Sequence, residues 1–121
     1  MKKYRHNLGR WGETVAAEFL AKRGYSIVAR NARTPYGEID LVTRQGDATV
    51  FVEVKTRSNT AFGYPEEAIT PRKREHLIEA SQAYLQKHPE LSGDWRIDVI
   101  AIQRLDPTKE PLIEHFENAV N

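Results

Sequence analysis

Gly37-Glu-Ile-Asp-Leu-Val42 and Val50-Phe-Val-Glu-Val-Lys-Thr-Arg57 are two apolar runs with charges set inside them. Between them, Gln45-Gly-Asp-Ala48 has the form of a two-residue hairpin turn with Gly46 first, which fits type II′. That turn pairs Gln45 with Ala48. The same antiparallel register sets Asp40 opposite Glu53 and Glu38 opposite Lys55. Side chains alternate along a strand, so Asp40, Glu53 and Lys55 share one face with Val42 and Phe51. Ile39, Leu41, Thr43, Val50, Val52 and Val54 then form the other face, suited to burial under helices or another sheet. A slip of one residue would send that apolar face to the wrong side. A longer turn would leave Asp40 diagonal to Glu53.

Directly opposed residues have β-carbons about 5 Å apart, and two like charges that close repel. A divalent cation would turn this repulsion into a site. Mg²⁺ takes oxygen ligands and is commonly held by one or two carboxylates. Asp40 and Glu53 supply these, and the Val54 carbonyl offers a third oxygen. Solvated acids on an open sheet are the plain alternative, but Val42 and Phe51 make this face partly apolar. Beside a cation, Lys55 would orient an attacking water and stabilise developing negative charge. Otherwise it is a cross-strand ion pair with Glu38, which reads as the lysine's anchor rather than as a ligand.

Glu13 is the next unusual residue. It aligns with Ala16, Ala17 and Leu20 on the inward stripe of a helix predicted over Gly9 to Arg23. An inward carboxylate needs a partner: a metal, a water held by one, or a cation such as Arg10. A second helix is predicted from Pro71, with Thr70 as N-cap and an inner stripe of Leu77, Ile78, Ser81, Tyr84 and Leu85. It opens with Arg72, Lys73 and Arg74, three cations that run against the helix macrodipole. A docked phosphate would satisfy both the cations and the free amides, although a solvated basic run reads equally well. Lys73, one turn before Leu77, is the preferred phosphate contact, with Arg72 beside it and Arg57 at the end of its strand. Arg30 and Arg33 are weaker candidates.

The remaining chain completes the order α-β-β-β-α-β-β. A short strand is predicted over Ser26 to Asn31, a loop over Thr34 to Gly37 and a longer loop over Ser58 to Ile69. Pro89 to Gly93 ends the second helix. Strands follow over Trp95 to Ile102 and Leu112 to Phe116, with a turn over Asp106 to Pro111. The 121 residues suit a single domain. No cysteine is present, which excludes disulfides and thiolate metal sites and fits a reducing compartment. A basic start without an apolar segment after it gives no signal peptide or membrane span, so a cytoplasmic protein is expected.

The net charge of +1 is uninformative, but its distribution is not. Residues 1–33 carry eight basic side chains against Glu13 and Glu18, whereas residues 106–121 carry four acids against Lys109. A basic half facing a polyanion follows from this, with ordinary surface charge as the alternative. The four histidines show no ligand spacing and read as surface or minor packing residues. Asp98 pairs most simply with Arg96. There is no glycine-rich phosphate loop, which argues against nucleoside triphosphate hydrolysis.

Together these blocks carry a family resemblance. Gly9-Arg-Trp-Gly-Glu13, Gly24-Tyr25, Arg30-Asn31, Gly37-Glu-Ile-Asp-Leu41, Phe51-Val-Glu-Val-Lys-Thr-Arg57 and Arg96-Ile-Asp-Val99 follow one another over nearly the whole chain. In this order they resemble the YraN family of bacterial predicted endonucleases. That family is similar to the archaeal Holliday junction resolvases of the PD-(D/E)XK nuclease superfamily. Asp40 matches the first acid of the motif, Glu53 and Lys55 the Glu-x-Lys half, and Glu13 the acid of the first helix. The proline of the motif is absent, and Ile39 stands before Asp40. The resemblance implies a restriction-endonuclease-like α/β core, a central mixed five-stranded sheet flanked by helices. It also implies Mg²⁺-dependent hydrolysis of DNA phosphodiesters, with Mn²⁺ able to substitute, on double-stranded or branched DNA. Junction resolvases are dimers, so a homodimer is compatible. A nucleic-acid-binding module without turnover, or a nuclease acting on RNA or single strands, are the alternative readings.

Overall fold

The computed structural model describes residues 2–58 and 69–120, with backbone alone for residues 2–6. The elements are α1 (Lys2–Lys22), β1 (Ser26–Thr34), β2 (Gly37–Gln45), β3 (Ala48–Arg57), α2 (Pro71–Lys87), β4 (Trp95–Gln103) and β5 (Leu112–Val120). They form one five-stranded sheet in the order β1-β2-β3-β4-β5. Strands β3 and β4 run parallel, joined across α2, and the other neighbours are antiparallel. This is the element order that the sequence predicts and the mixed five-stranded sheet that the family resemblance implies.

Each face of the sheet holds one helix. Ala16 and Leu20 of α1 pack with Tyr25, Leu41, Val50, Val52, Ile100 and Ile102. Leu77, Ala80 and Tyr84 of α2 pack with Ile39, Val42, Phe51, Ile97, Val99 and Val120 on the opposite face. Both helices end by local chemistry. Gly24 takes φ +90° while Tyr25 N donates to Leu20 O and Gly24 N to Ala21 O, a Schellman-type stop for α1. Thr70 caps α2, its hydroxyl accepting from Lys73 N at 3.1 Å, with Pro71 in the first turn.

The central hairpin has the predicted register, Gln45↔Ala48 through Leu41↔Val52. Gly46 has φ +58° and Asp47 has no positive φ, as a type II′ turn requires. Element ends differ from the sequence reading. Helix α1 begins at Lys2 rather than Gly9, because a glycine within a helix weakens it without ending it. Strand β1 continues to Thr34, and the predicted loop at 34–37 is a tight turn closing Thr34↔Gly37. There Thr34 Oγ1 donates to Gly37 O at 2.8 Å and accepts from Tyr36 N at 3.1 Å. Strand β5 runs on to Val120 through an irregularity at Asn118, which has φ +50°. The predicted loop at 58–69 lies almost wholly outside the described residues.

One predicted facing is overturned, and the reason shapes the site. Ile39 does not share a face with Leu41; it packs on the α2 side with Val42 and Phe51. In the β1–β2 ladder, Arg30↔Leu41 faces α1, with Arg30 Nη2 donating to Thr14 Oγ1 at 3.0 Å. The pair two residues on, Ala32↔Ile39, faces α2. Regular alternation forbids this. The sheet therefore turns over at the intervening Asn31 and Asp40, and Asn31 adopts φ +51° to allow it.

Candidate active site

The turnover swings Asp40 out of the regular pleat and toward β3. The β2–β3 ladder stops at Leu41↔Val52. Beyond it, Asp40 Oδ2 accepts the Val54 amide at 2.8 Å, so a side chain replaces the backbone partner of that N–H. An extended residue's N–H and C=O point the same way, so the Val54 carbonyl also opens toward this gap. Glu53 lies beside it, 6% exposed, in carboxyl contact with Asp40.

Burial pushes the Glu53 carboxyl up to about 7, Asp40's charge adds to the rise, and Lys73 and Lys55 pull against it. Lys55 Nζ is 3.9 Å from Glu53 Oε1, and Lys73 Nζ is 3.5 Å from Oε2. Among the described residues Oε2 is nonetheless buried without a hydrogen-bond partner, the Lys73 ammonium standing at the outer edge of hydrogen-bond reach. Such an atom is costly unless something else satisfies it.

Glu13 approaches from α1, next to Gly12. A β-carbon on Gly12 would collide with Thr56 Oγ1, so glycine lets α1 touch β3 one residue past Lys55. Glu13 is raised by burial and by Asp40, while a hydrogen bond to Asn31 and the charge of Arg30 hold it back. Its partners are thus Asn31 and Arg30 rather than Arg10. Among the described residues no three acidic or histidine side chains converge to hold one ion, while Glu13 lies close enough to Asp40 to feel its charge. Two carboxylates, one with an orphaned buried oxygen, and a facing carbonyl fit a hard cation that keeps most of its waters.

The expected Glu38–Lys55 pair does not form. Since the ladder ends before reaching them, Lys55 turns to Glu53, and Glu38 lies 4.0 Å from Arg33 on the surface. Arg72 is exposed, and Arg57 closes β3 with Nη1 donating to Thr56 O at 3.2 Å.

Asp98 is a structural anchor, as its pairing with Arg96 implied. It is fully buried and accepts from Arg96 Nε at 3.0 Å and Asn118 N at 2.8 Å, with His115 Nε2 at 2.7 Å. Arg96 also donates to the Tyr25 hydroxyl at 2.9 Å. His115 is therefore not a surface residue: its side chain is 11% exposed and closes this network.

The model of the uncharacterised protein family UPF0102, the YraN family, matches residues 12–102. The chain belongs to UPF0102. It is 48% identical over 112 residues to the UPF0102 protein of Syntrophomonas wolfei, covering 93% of this chain and 96% of that one. A UPF0102 protein of Dehalococcoides mccartyi is 41% identical over 116 residues, covering 96% and 94%. Among solved structures, Pyrococcus furiosus SfsA in complex with Ca²⁺ overlaps at a TM-score of 0.43 and 15% identity, over 93% of this chain and 63% of its own. So loose a likeness fixes neither fold nor site. Among the described residues of this UPF0102 chain, no helix is long and apolar enough to cross a membrane.

Sequence reasoning missed two things in this UPF0102 site. One is Asn31, which both allows the turnover and holds Glu13; its signal was an asparagine inside an otherwise strand-like run. The other is the reach of Lys73 to Glu53, which depends on how α2 docks across the sheet and has no local signal.

Proposed function

We propose that this chain is a divalent-cation-dependent nuclease that hydrolyses DNA phosphodiester bonds, on double-stranded or branched substrates. The observation that carries this reading is the buried Glu53 beside Asp40, with an unsatisfied oxygen and two lysines at its edge. Asp40, Glu53 and the Val54 carbonyl would hold Mg²⁺, or Mn²⁺ in its place. A cation there supplies Lewis-acid polarisation of the scissile phosphate. Everything else falls to the chain's own groups. Lys55, its side chain 20% exposed, donates to the attacking water and fixes its approach to phosphorus. Lys73, more exposed at 39%, faces the phosphate oxygens as charge builds on them. Glu13, held by Asn31 and within reach of Asp40's charge, would assist in holding the cation directly or through water. Arg57 and Arg72 contact backbone phosphates on either side, so binding weakens steeply with salt. Water oxygen bonds to phosphorus and gives up a proton to solvent, while the bond to the leaving sugar oxygen breaks and that oxygen takes a proton from solvent to leave as a hydroxyl.

The test is cleavage with Mg²⁺ and with Mn²⁺ on a four-way junction, linear duplex, single-stranded DNA and RNA, comparing wild type with Glu53→Gln. Cleavage of a DNA substrate that falls at least about 100-fold in the variant is expected. Salt-sensitive binding without cleavage of any substrate would replace this reading with a binding module. Cleavage of RNA alone would replace its substrate.

A further inference from the structure

At the end of the candidate catalytic strand lies a cleft of about 400 Å³ lined by Trp11, Arg104, Pro107, Lys109, Glu110 and Pro111. The Arg104 guanidinium lies over the Trp11 ring, 4.8 Å from its centroid. Trp11 is half-buried and packs against the α1-side core, so it is a fixed floor on which Arg104 is held. Both walls are tied to the end of β3. The Arg104 amide donates to Arg57 O at 2.8 Å, and Trp11 precedes Gly12, which meets Thr56. Arg57 is two residues past Lys55, about 7 Å along the strand. The cleft therefore lies just past the end of β3 on the α1 side of the sheet, whereas Glu53 and Lys55 face α2. Arg104 and Lys109 are the cations among the lining residues. Glu110 is the acid among the lining residues, and Asp106, outside the lining, is tied into its own turn, accepting from the Thr108 amide at 2.9 Å and hydroxyl at 2.8 Å.

We infer that this cleft binds an unpaired stretch of nucleic-acid strand, with a base stacked on the guanidinium plane that Trp11 supports. The inference rests on the nuclease reading and narrows its substrate to one with a single-stranded stretch that passes the end of β3 onto the α1 side. A duplex keeps its base faces covered by their neighbours. A planar cation backed by an aromatic ring offers such a duplex only charge. To an unpaired base it offers charge and a stacking surface together.

Trp11 and Trp95 are the two tryptophans, so Trp95→Phe makes Trp11 the reporter of its own cleft. Without divalent cation, this variant is titrated with oligothymidylate and oligouridylate of about a dozen nucleotides, and with a blunt duplex of equal length, reading tryptophan emission and ligand anisotropy together. Saturable change of Trp11 emission with a single strand but not with bound duplex is expected; whether DNA, RNA or both produce it names the strand. In the wild-type background, which needs no tryptophan change, Arg104→Gln weakens single-strand binding about tenfold and leaves duplex binding within about twofold. Arg104→Lys, which keeps charge without a plane, fails to restore it. Single-strand binding that leaves Trp11 emission unmoved overturns the inference, as does equal emission change with duplex or full rescue by lysine; Trp11 and Arg104 then only clasp the β4–β5 turn to α1. Absence of binding to every nucleic acid would overturn the nuclease reading as well. Absence of cleavage with the Trp11 response intact would overturn that reading alone.

Discussion

Glu53 carries most of what the site does at the scale of a residue. Its carboxyl, ordinarily near 4.5, is pushed up to about 7 by burial and by Asp40. Between those two values the folded chain holds a proton that the unfolded chain has released. Stability of the cation-free protein therefore falls as pH rises through that window. Urea unfolding at a series of pH values should show this slope, and Glu53→Gln should flatten it; an unchanged slope would mean that another group titrates. Lys73 acts on the same carboxylate from the other helix. With its ammonium 3.5 Å from Oε2, it competes with any cation that Glu53 could hold. Lys73→Met should tighten Mn²⁺ binding roughly threefold to tenfold at pH 8, a modest gain because Lys73 is partly exposed. Calorimetry reads this directly, and weaker binding would make Lys73 a scaffold for Glu53 instead.

At the scale of the element, the fit of α1 on β3 turns on Gly12. An alanine there meets Thr56, a β-branched side chain with little room to move. Gly12→Ala should cost about 1–3 kcal/mol by thermal unfolding, and appreciably less in a Thr56→Ala background. Equal costs in both backgrounds would place the strain elsewhere. The same pair shows what a sequence does and does not reveal. The Gly46 turn and the apolar alternation around it are local, so the β2–β3 register was legible residue by residue. The end of that ladder was not. Extending it predicted a Glu38–Lys55 pair, whereas the turnover at Asn31 sends Asp40 across to the Val54 amide. That depends on a third strand, and no pattern within the hairpin encodes it. Asp40, Glu53 and Lys55 were still recognisable as neighbours, because charged residues inside apolar runs stand out wherever the ladder stops.

Over the whole molecule, two buried carboxylates titrate in opposite senses. Burial pushes Asp98 up, but His115, Arg96 and the Asn118 amide more than offset it, leaving the group below its ordinary 3.8. Its contribution is complete above that value and is lost as pH falls through the lowered one. With Glu53 favouring acid and Asp98 opposing it, the cation-free protein should be most stable in mildly acid solution. Asp98→Asn should cost about 3 kcal/mol or more, since it leaves the half-buried Arg96 without its counter-charge and His115 without its carboxylate partner; a loss under about 1 kcal/mol in urea unfolding would show that the network is dispensable. The anchoring role of His115 was not legible, because its partner lies on the neighbouring strand across the irregularity at Asn118.

The Val54 amide hangs on a carboxylate rather than on a neighbouring strand. Its proton is thus a built-in antenna for the site. Whatever draws Asp40 away, be it a cation, a proton or a substrate, must lengthen that one bond, and the amide resonance of Val54 will move before any other in the sheet.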